Sequence, residues 1–139
     1  MKVLIDTNIV LDVVLDRKDF IADSRAVFEF AEHKKINGFI TASCFTDIFY
    51  ISNRQIKDTG IVYQLIDKLT VLFSIAPVSE NTIKKALSLR WKDFEDAVQY
   101  IAAKENDITY IITRNKSDYD ASDVICIDPS DFIQRFNKI

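Results

Sequence analysis

At 139 residues the chain suits one domain, and its 48% hydrophobic and 28% charged residues are the proportions of a globular protein with a core of its own. Two glycines (Gly38 and Gly60) exclude a Gly-rich phosphate loop, one histidine (His33) excludes a multi-His metal site, and two distant cysteines (Cys44 and Cys126) exclude a Cys-only zinc site and CxxC redox chemistry. Eighteen basic against 21 acidic residues give a net charge of −3, the wrong sign for a non-specific nucleic-acid coat protein.

In chain order, Lys2–Ile5 reads as a buried strand and Asn8–Leu15 as a helix that is apolar nearly all round. Phe20–His33 is amphipathic and ends before Asn37-Gly38, which reads as a turn. Phe39–Ala42 is the second strand, followed by a helix capped by Ser43 and running to about Arg54. Asp58 or Thr59 starts a helix to Leu72, and Phe73–Val78 holds a short third strand whose Pro77 suggests a sheet edge. Ser79 caps Glu80–Arg90, and Asp93 starts a helix to Glu105 with an apolar stripe of Phe94, Ala97, Val98, Ile101 and Ala102. Tyr110–Thr113 and Val124–Ile127 are the last strands, and Asp128-Pro129 opens a terminal helix to Phe136. Strands alternating with helices predict an α/β fold with a parallel sheet.

With thiol, imidazole and phosphate-loop chemistry gone, what remains runs on carboxylates, hydroxyls and amides with a hard metal. Ligands of an open parallel sheet bind beyond the carboxyl ends of its strands. Asp6 follows the first strand, Asp118 follows the Tyr110–Thr113 strand by a short loop, Asp47 is expected in the first turn after the second strand, and Asp93 and Asp96 open a helix. Carboxylates gathered at one rim repel unless a cation neutralises them, and Mg²⁺ or Mn²⁺ suits an all-oxygen site. Each has a local alternative. Asp6 can be a loop aspartate, Asp47 a helix-dipole charge, and Asp118 a solvated residue among Asp120 and Asp123 in a polar loop. Asp93 to Asp96 resembles a capping box, Asp93 as cap and Asp96 reaching back. Asp12 and Asp16 read as a solvated face.

Asp6-Thr7-Asn8 after the opening strand, Asp93-Phe94-Glu95-Asp96-Ala97, Thr113-Arg114-Asn115 with Asp118-Tyr119, and the ending Asp128-Pro129-Ser130-Asp131-Phe132 resemble the PIN domain, the nuclease fold of VapC-type toxins. The resemblance covers essentially the whole chain. It implies a three-layer α/β/α fold with a five-stranded parallel sheet in the order 3-2-1-4-5, and metal-dependent cleavage of RNA. It places metal-binding acids at Asp6, Asp96 and Asp118, and a glutamate where this chain has the shorter Asp47. A VapC-like protein implies a homodimer and an antitoxin partner; Ile48, Phe49, Ile51, Ile61, Val62 and Leu65 are apolar enough for an interface or for the core.

On this reading Asp6, Asp47, Asp96 and Asp118 are the catalytic acids. Thr7, Asn8, Asp93, Thr113 and Asn115 support them with neutral groups or caps. Arg114, Lys116, Arg90 and Lys92 are placed to meet RNA phosphates, and Trp91 either stacks on a base or packs in the core. The alternative is a catalytically weakened PIN-like scaffold that binds RNA or protein. A haloacid-dehalogenase-type phosphotransferase would want an aspartate where Asn8 stands, and a receiver domain would want a lysine where Arg114 stands. The apolar start, Val3-Leu4-Ile5, is cut by Asp6, too short for a secretion signal, and no stretch approaches a membrane span. Free thiols without a signal predict the cytoplasm.

Overall fold

The computed structural model of the chain describes residues 1–116 and 123–137. Val3, Leu4 and Ile5 are all fully buried, so β1 (Lys2–Ile5) has no solvent face, which is what a continuous run of large apolar residues demands of an interior parallel strand. β1 pairs with β2 (Asn37–Thr41) on one side and β4 (Tyr110–Ile112) on the other. β3 (Ser74–Ala76) and β5 (Ile125–Ile127) form the edges. All four pairings are parallel, and the order is β3-β2-β1-β4-β5, as the resemblance implies. The chain builds outward from β1 to β3, then crosses to the other side of β1 with β4. Its topological switch point is therefore the gap between β1 and β4.

Alternate residues of the strands feed two cores. Val3 and Ile5 join Ile112 and Ile127 beneath α1 (Thr7–Val14), α2 (Ile21–Glu32), α3 (Ala42–Ile56), α4 (Thr59–Leu72) and α7 (Pro129–Phe136). Leu4 and Ile111 face α5 (Glu80–Leu89) and α6 (Phe94–Glu105). The result is the expected three-layer α/β/α sandwich. Side-chain caps set several helix starts: Asp58 accepts from Ile61 N, Asp93 from Asp96 N and Asp128 from Asp131 N, at 3.2, 3.1 and 2.8 Å. Ser79 and Thr82 form a reciprocal capping box at α5.

Three local expectations are corrected. Asn37-Gly38 is the start of β2, not a turn. The turn lies just before it at Lys34, whose φ is 57°. Gly38 is needed for a close approach instead, since a Cβ there would sit 2.6 Å from the ring of Phe73. Ser43 does not cap α3: Thr41 holds the N-cap position without a side-chain cap bond, and Ser43 Oγ donates to Thr41 Oγ1 at 3.4 Å. The helix therefore begins earlier than expected, and Asp47 falls in its second turn, where the dipole account of that charge weakens. Asp12 is not on a solvated face. It is fully buried and accepts from Ser24 Oγ at 2.8 Å, with Arg17 and Arg114 paired to it. No helix among the described residues is long and apolar enough to cross a membrane.

Candidate active site

Asp6 occupies the N-cap position of α1 but makes no side-chain cap bond. Its carboxylate turns across the switch point instead. Oδ1 accepts from Gln99 Nε2 of α6 at 3.0 Å, and Oδ2 accepts from Thr113 Oγ1 at 2.7 Å. The backbone N–H of Asp6 donates to Ile112 O, so β1 and β4 grip this residue through main chain as well. The Thr113 hydroxyl accepts in turn from Asn115 N at 3.0 Å, which fixes its proton toward Asp6.

Asp6 is only 4% exposed, yet among the described residues neither it, Asp47 nor Glu95 has a lysine or arginine paired to it. The contrast with Asp12, equally buried and held by two arginines, is direct. Both Asp6 oxygens accept from neutral donors, so nothing cationic among the described residues offsets a charge there.

Further acids surround it. Asp96, in the first turn of α6, is 6% exposed, and its backbone N–H is capped by Asp93, which accounts for Asp93 locally. Glu95, one residue earlier, folds back so that Oε1 accepts from Thr7 Oγ1 at 3.2 Å and meets Cys44 Sγ at 3.9 Å. Although the residue as a whole is exposed, burial of its carboxyl end raises that group above the ordinary carboxyl range, and the charges of Asp47, Asp6 and Asp93 raise it further against the Thr7 bond. Burial likewise pushes the Cys44 thiol up to about 12 and the Cys126 thiol to about 11. Asp96 and Asp6 act on Cys126, while Glu95 and Asp6 act on Cys44. Neither thiol is a nucleophile near neutral pH.

Asp47, Asp6 and Asp93 thus all act on Glu95, and Asp96 and Asp6 on Cys126, at the carboxyl edge of the sheet. Asp118 lies outside the described residues. Among the described residues alone, no three ligating side chains stand close enough to enclose an ion. The donors that are present are all hard oxygens in negative surroundings, and that chemistry fits Mg²⁺ or Mn²⁺.

The cationic residues are used unevenly. Arg114 stacks over the Phe20 ring, 3.9 Å from its centroid, and pairs with Asp12. Lys116 spans Asp128 and Asp131 at 3.4 and 3.7 Å on the surface. Arg90 ends α5 in the left-handed region, and Lys92 is exposed beside it. Trp91 between them stacks on Tyr100 at 5.0 Å, so packing accounts for it. His33 is exposed and donates to Glu29 O within its own helix. A cavity of about 860 Å³, lined by Lys34, Lys35 and Lys68 among others, opens at the amino edge of the sheet, away from the acids.

A family model described as PIN domain matches residues 2–117. The chain belongs to the PIN domain family. It is 23% identical over 143 residues to Ribonuclease VapC1 of Aquifex aeolicus, covering 99% of this chain and 97% of that protein. Solved structures with this fold include a toxin–antitoxin complex from Klebsiella pneumoniae, at TM-score 0.68 and 18% identity over 91% of this chain and 97% of that one. VapC20 of Mycobacterium tuberculosis, described as a sarcin-ricin loop cleaving toxin, has TM-score 0.68 and 12% identity over 88% and 98%. FitAB bound to the IR36 DNA fragment has TM-score 0.66 and 17% identity over 91% and 94%.

Two residues of this PIN domain escaped the sequence reading. Gln99 was a visible signal, a polar residue inside the apolar stretch of α6 that proves fully buried. Glu95 was hidden by its neighbours, since an acid in a first helical turn has an ordinary dipole explanation.

Proposed function

We propose that the chain is a divalent-metal-dependent ribonuclease, hydrolysing RNA phosphodiester bonds, and the toxin of a toxin–antitoxin pair. The observation that carries this reading is the buried Asp6 carboxylate at the β1/β4 switch point, held by Gln99 and Thr113 with no described cationic partner. The PIN domain family and the relative named as a ribonuclease support it.

Asp6, Asp96 and Asp118 would hold Mg²⁺ or Mn²⁺, with Asp47 as the fourth acid, and the bound ion would supply Lewis-acid polarisation of the phosphate and a lowered pKa for a water. The protein's own groups do the positioning. Gln99 and Thr113 fix both oxygens of Asp6, and Asp93 secures the turn that presents Asp96. Thr7, Asn8 and Asn115 line the rim with neutral groups. Arg90 and Lys92 have no ion pair among the described residues and can meet the RNA backbone, and Lys116 can exchange its weak surface pairs for phosphate. Arg114 is a strut that ties the loop after β4 to α1 and α2. The whole of 1–139 acts as one domain, in the cytoplasm, as a homodimer neutralised by an antitoxin protein.

The test is incubation of the full chain with single-stranded and structured RNAs in Mn²⁺, Mg²⁺ or EDTA. Cleavage that needs the metal supports the reading, and Asp47→Ala should lower it while Asp47→Glu preserves it. Cleavage unchanged in EDTA, or none across a broad RNA panel, overturns it; the second result favours the scaffold.

A further inference from the structure

We propose that Glu95 is an additional acidic residue of the cation site, contributed by α6 and aimed by Thr7. The proposal rests on the ribonuclease reading and adds to it a residue on which cation affinity depends.

Two segments converge on this one carboxylate. Thr7 at the start of α1 donates to Oε1 at 3.2 Å, and Cys44 in the first turn of α3 meets the same oxygen at 3.9 Å. Cys44 is itself held by Thr41 Oγ1 at 2.8 Å. Both contacts fall on Oε1, which leaves Oε2 without a hydrogen bond to a described residue. Cys44 and Asp47 stand three residues apart on α3 and so share one helix face. Glu95 therefore lies along the face of α3 that carries Asp47.

Stability of α6 does not explain this conformation. Asp93 already caps the helix, and an acid two positions on would serve the helix dipole equally well extended into water. Glu95 instead folds back onto Thr7, the neighbour of Asp6, and onto Cys44, one helical turn from Asp47, and no described lysine or arginine pairs with it. Such crowding of acids is unfavourable in the bare protein and is relieved by a hard divalent cation. Its longer side chain also supplies reach that Asp47, one methylene short of a glutamate, lacks.

The experiment titrates the full chain with Mn²⁺ alone, by calorimetry or Mn²⁺ EPR, for the parent, Glu95→Gln, Glu95→Asp, Thr7→Val and the control Glu80→Gln. Glu80 is exposed and, among the described residues, pairs with Lys84 alone. Circular dichroism confirms that each variant is folded. Glu95→Gln should bind Mn²⁺ about 10–100-fold more weakly. Glu95→Asp and Thr7→Val should lie between it and the parent, and Glu80→Gln should match the parent. RNA cleavage by Glu95→Gln should drop most at limiting Mn²⁺ and recover as Mn²⁺ is raised. Parental Mn²⁺ affinity in Glu95→Gln, with the parent both binding and cleaving, overturns the role of Glu95 alone. A parent that neither binds Mn²⁺ nor cleaves RNA overturns the ribonuclease reading, and this inference with it.

Discussion

The hydroxyl of Thr113 donates to Asp6 Oδ2 at 2.7 Å while accepting the backbone N–H of Asn115 at 3.0 Å. One side chain thus ties the end of β4 to the end of β1 where the strand order reverses, and it hands a fixed proton to a buried carboxylate.

Thr113→Val keeps the shape of the strand end but removes that proton and leaves the Asn115 amide without its acceptor. The expected cost is about 1–3 kcal/mol in a urea melt. Metal-dependent cleavage should fall about 10–100-fold, as when a group that orients a ligand is lost. Thr113→Ser should recover most of both. A valine variant that cleaves RNA at the parental rate would reduce Thr113 to sheet packing.

Asp93 and Asp96 divide two tasks three residues apart. Asp93 accepts from the Asp96 N–H and starts the helix, whereas the Asp96 side chain is buried at the acidic rim. Asp93→Ala should cost about 0.5–2 kcal/mol and leave substantial activity. Asp96→Asn should keep the fold and abolish cleavage. Denaturant melts beside initial rates separate the two, and equal loss of activity from both contradicts the division.

The strands and helices were legible because each depends on neighbours in sequence, whereas the sheet order was legible only through the resemblance to the PIN domain. Val3-Leu4-Ile5, the Ser79 and Asp128 caps and the α6 stripe announce themselves within a few residues. The wiring of the rim was not legible. The bonds from Thr7 to Glu95, Gln99 to Asp6 and Thr113 to Asp6 join residues 88, 93 and 107 positions apart, and no local pattern reports such a pairing. Asp12 misled for the same reason, since its partner Arg114 is 102 positions away. Asn37-Gly38 misled differently. The pair is a common turn signal, but here the glycine answers to the Phe73 ring pressed against it from the next strand's approach.

Arg114 is expected to matter for stability and little for RNA contact. Arg114→Met keeps apolar bulk beside Phe20 but leaves the fully buried Asp12 with only Ser24 and Arg17. Breaking a buried pair costs about 3–5 kcal/mol, and the lower end applies because Arg17 remains and Arg114 is a quarter exposed. The salt dependence of RNA binding should be unchanged in Arg114→Met, provided it is measured at a temperature where the variant is folded. Lys92→Ala should lower the slope by roughly 0.7, the value of one phosphate contact on a single strand. The opposite pattern in the two slopes would return Arg114 to the RNA surface.

Asp123 sets a small acid-side limit on stability. The Tyr100 hydroxyl donates to it at 2.7 Å and Lys104 lies 3.1 Å away, and these two, Tyr100 first, hold its carboxyl below the ordinary aspartate value. A carboxyl whose folded value is lowered releases its proton more readily folded than unfolded. Its contribution is therefore complete above the unfolded value, about 3.9, and disappears as pH falls through the lower folded value. Asp123→Asn still accepts from Tyr100 but loses the charge. Its melting temperature should lie below the parent's by a constant amount from pH 7 to about 5. The gap should close from about pH 4 downward as the parent's carboxyl takes up its proton. Solvent screens this site, so the part due to Lys104 should shrink in high salt while the part due to the Tyr100 bond persists. In a Tyr100→Phe background the same substitution should cost less, because the larger of the two causes has been removed. A gap that stays constant down to pH 3 would mean that the loss comes from packing at the start of β5 and not from the charge.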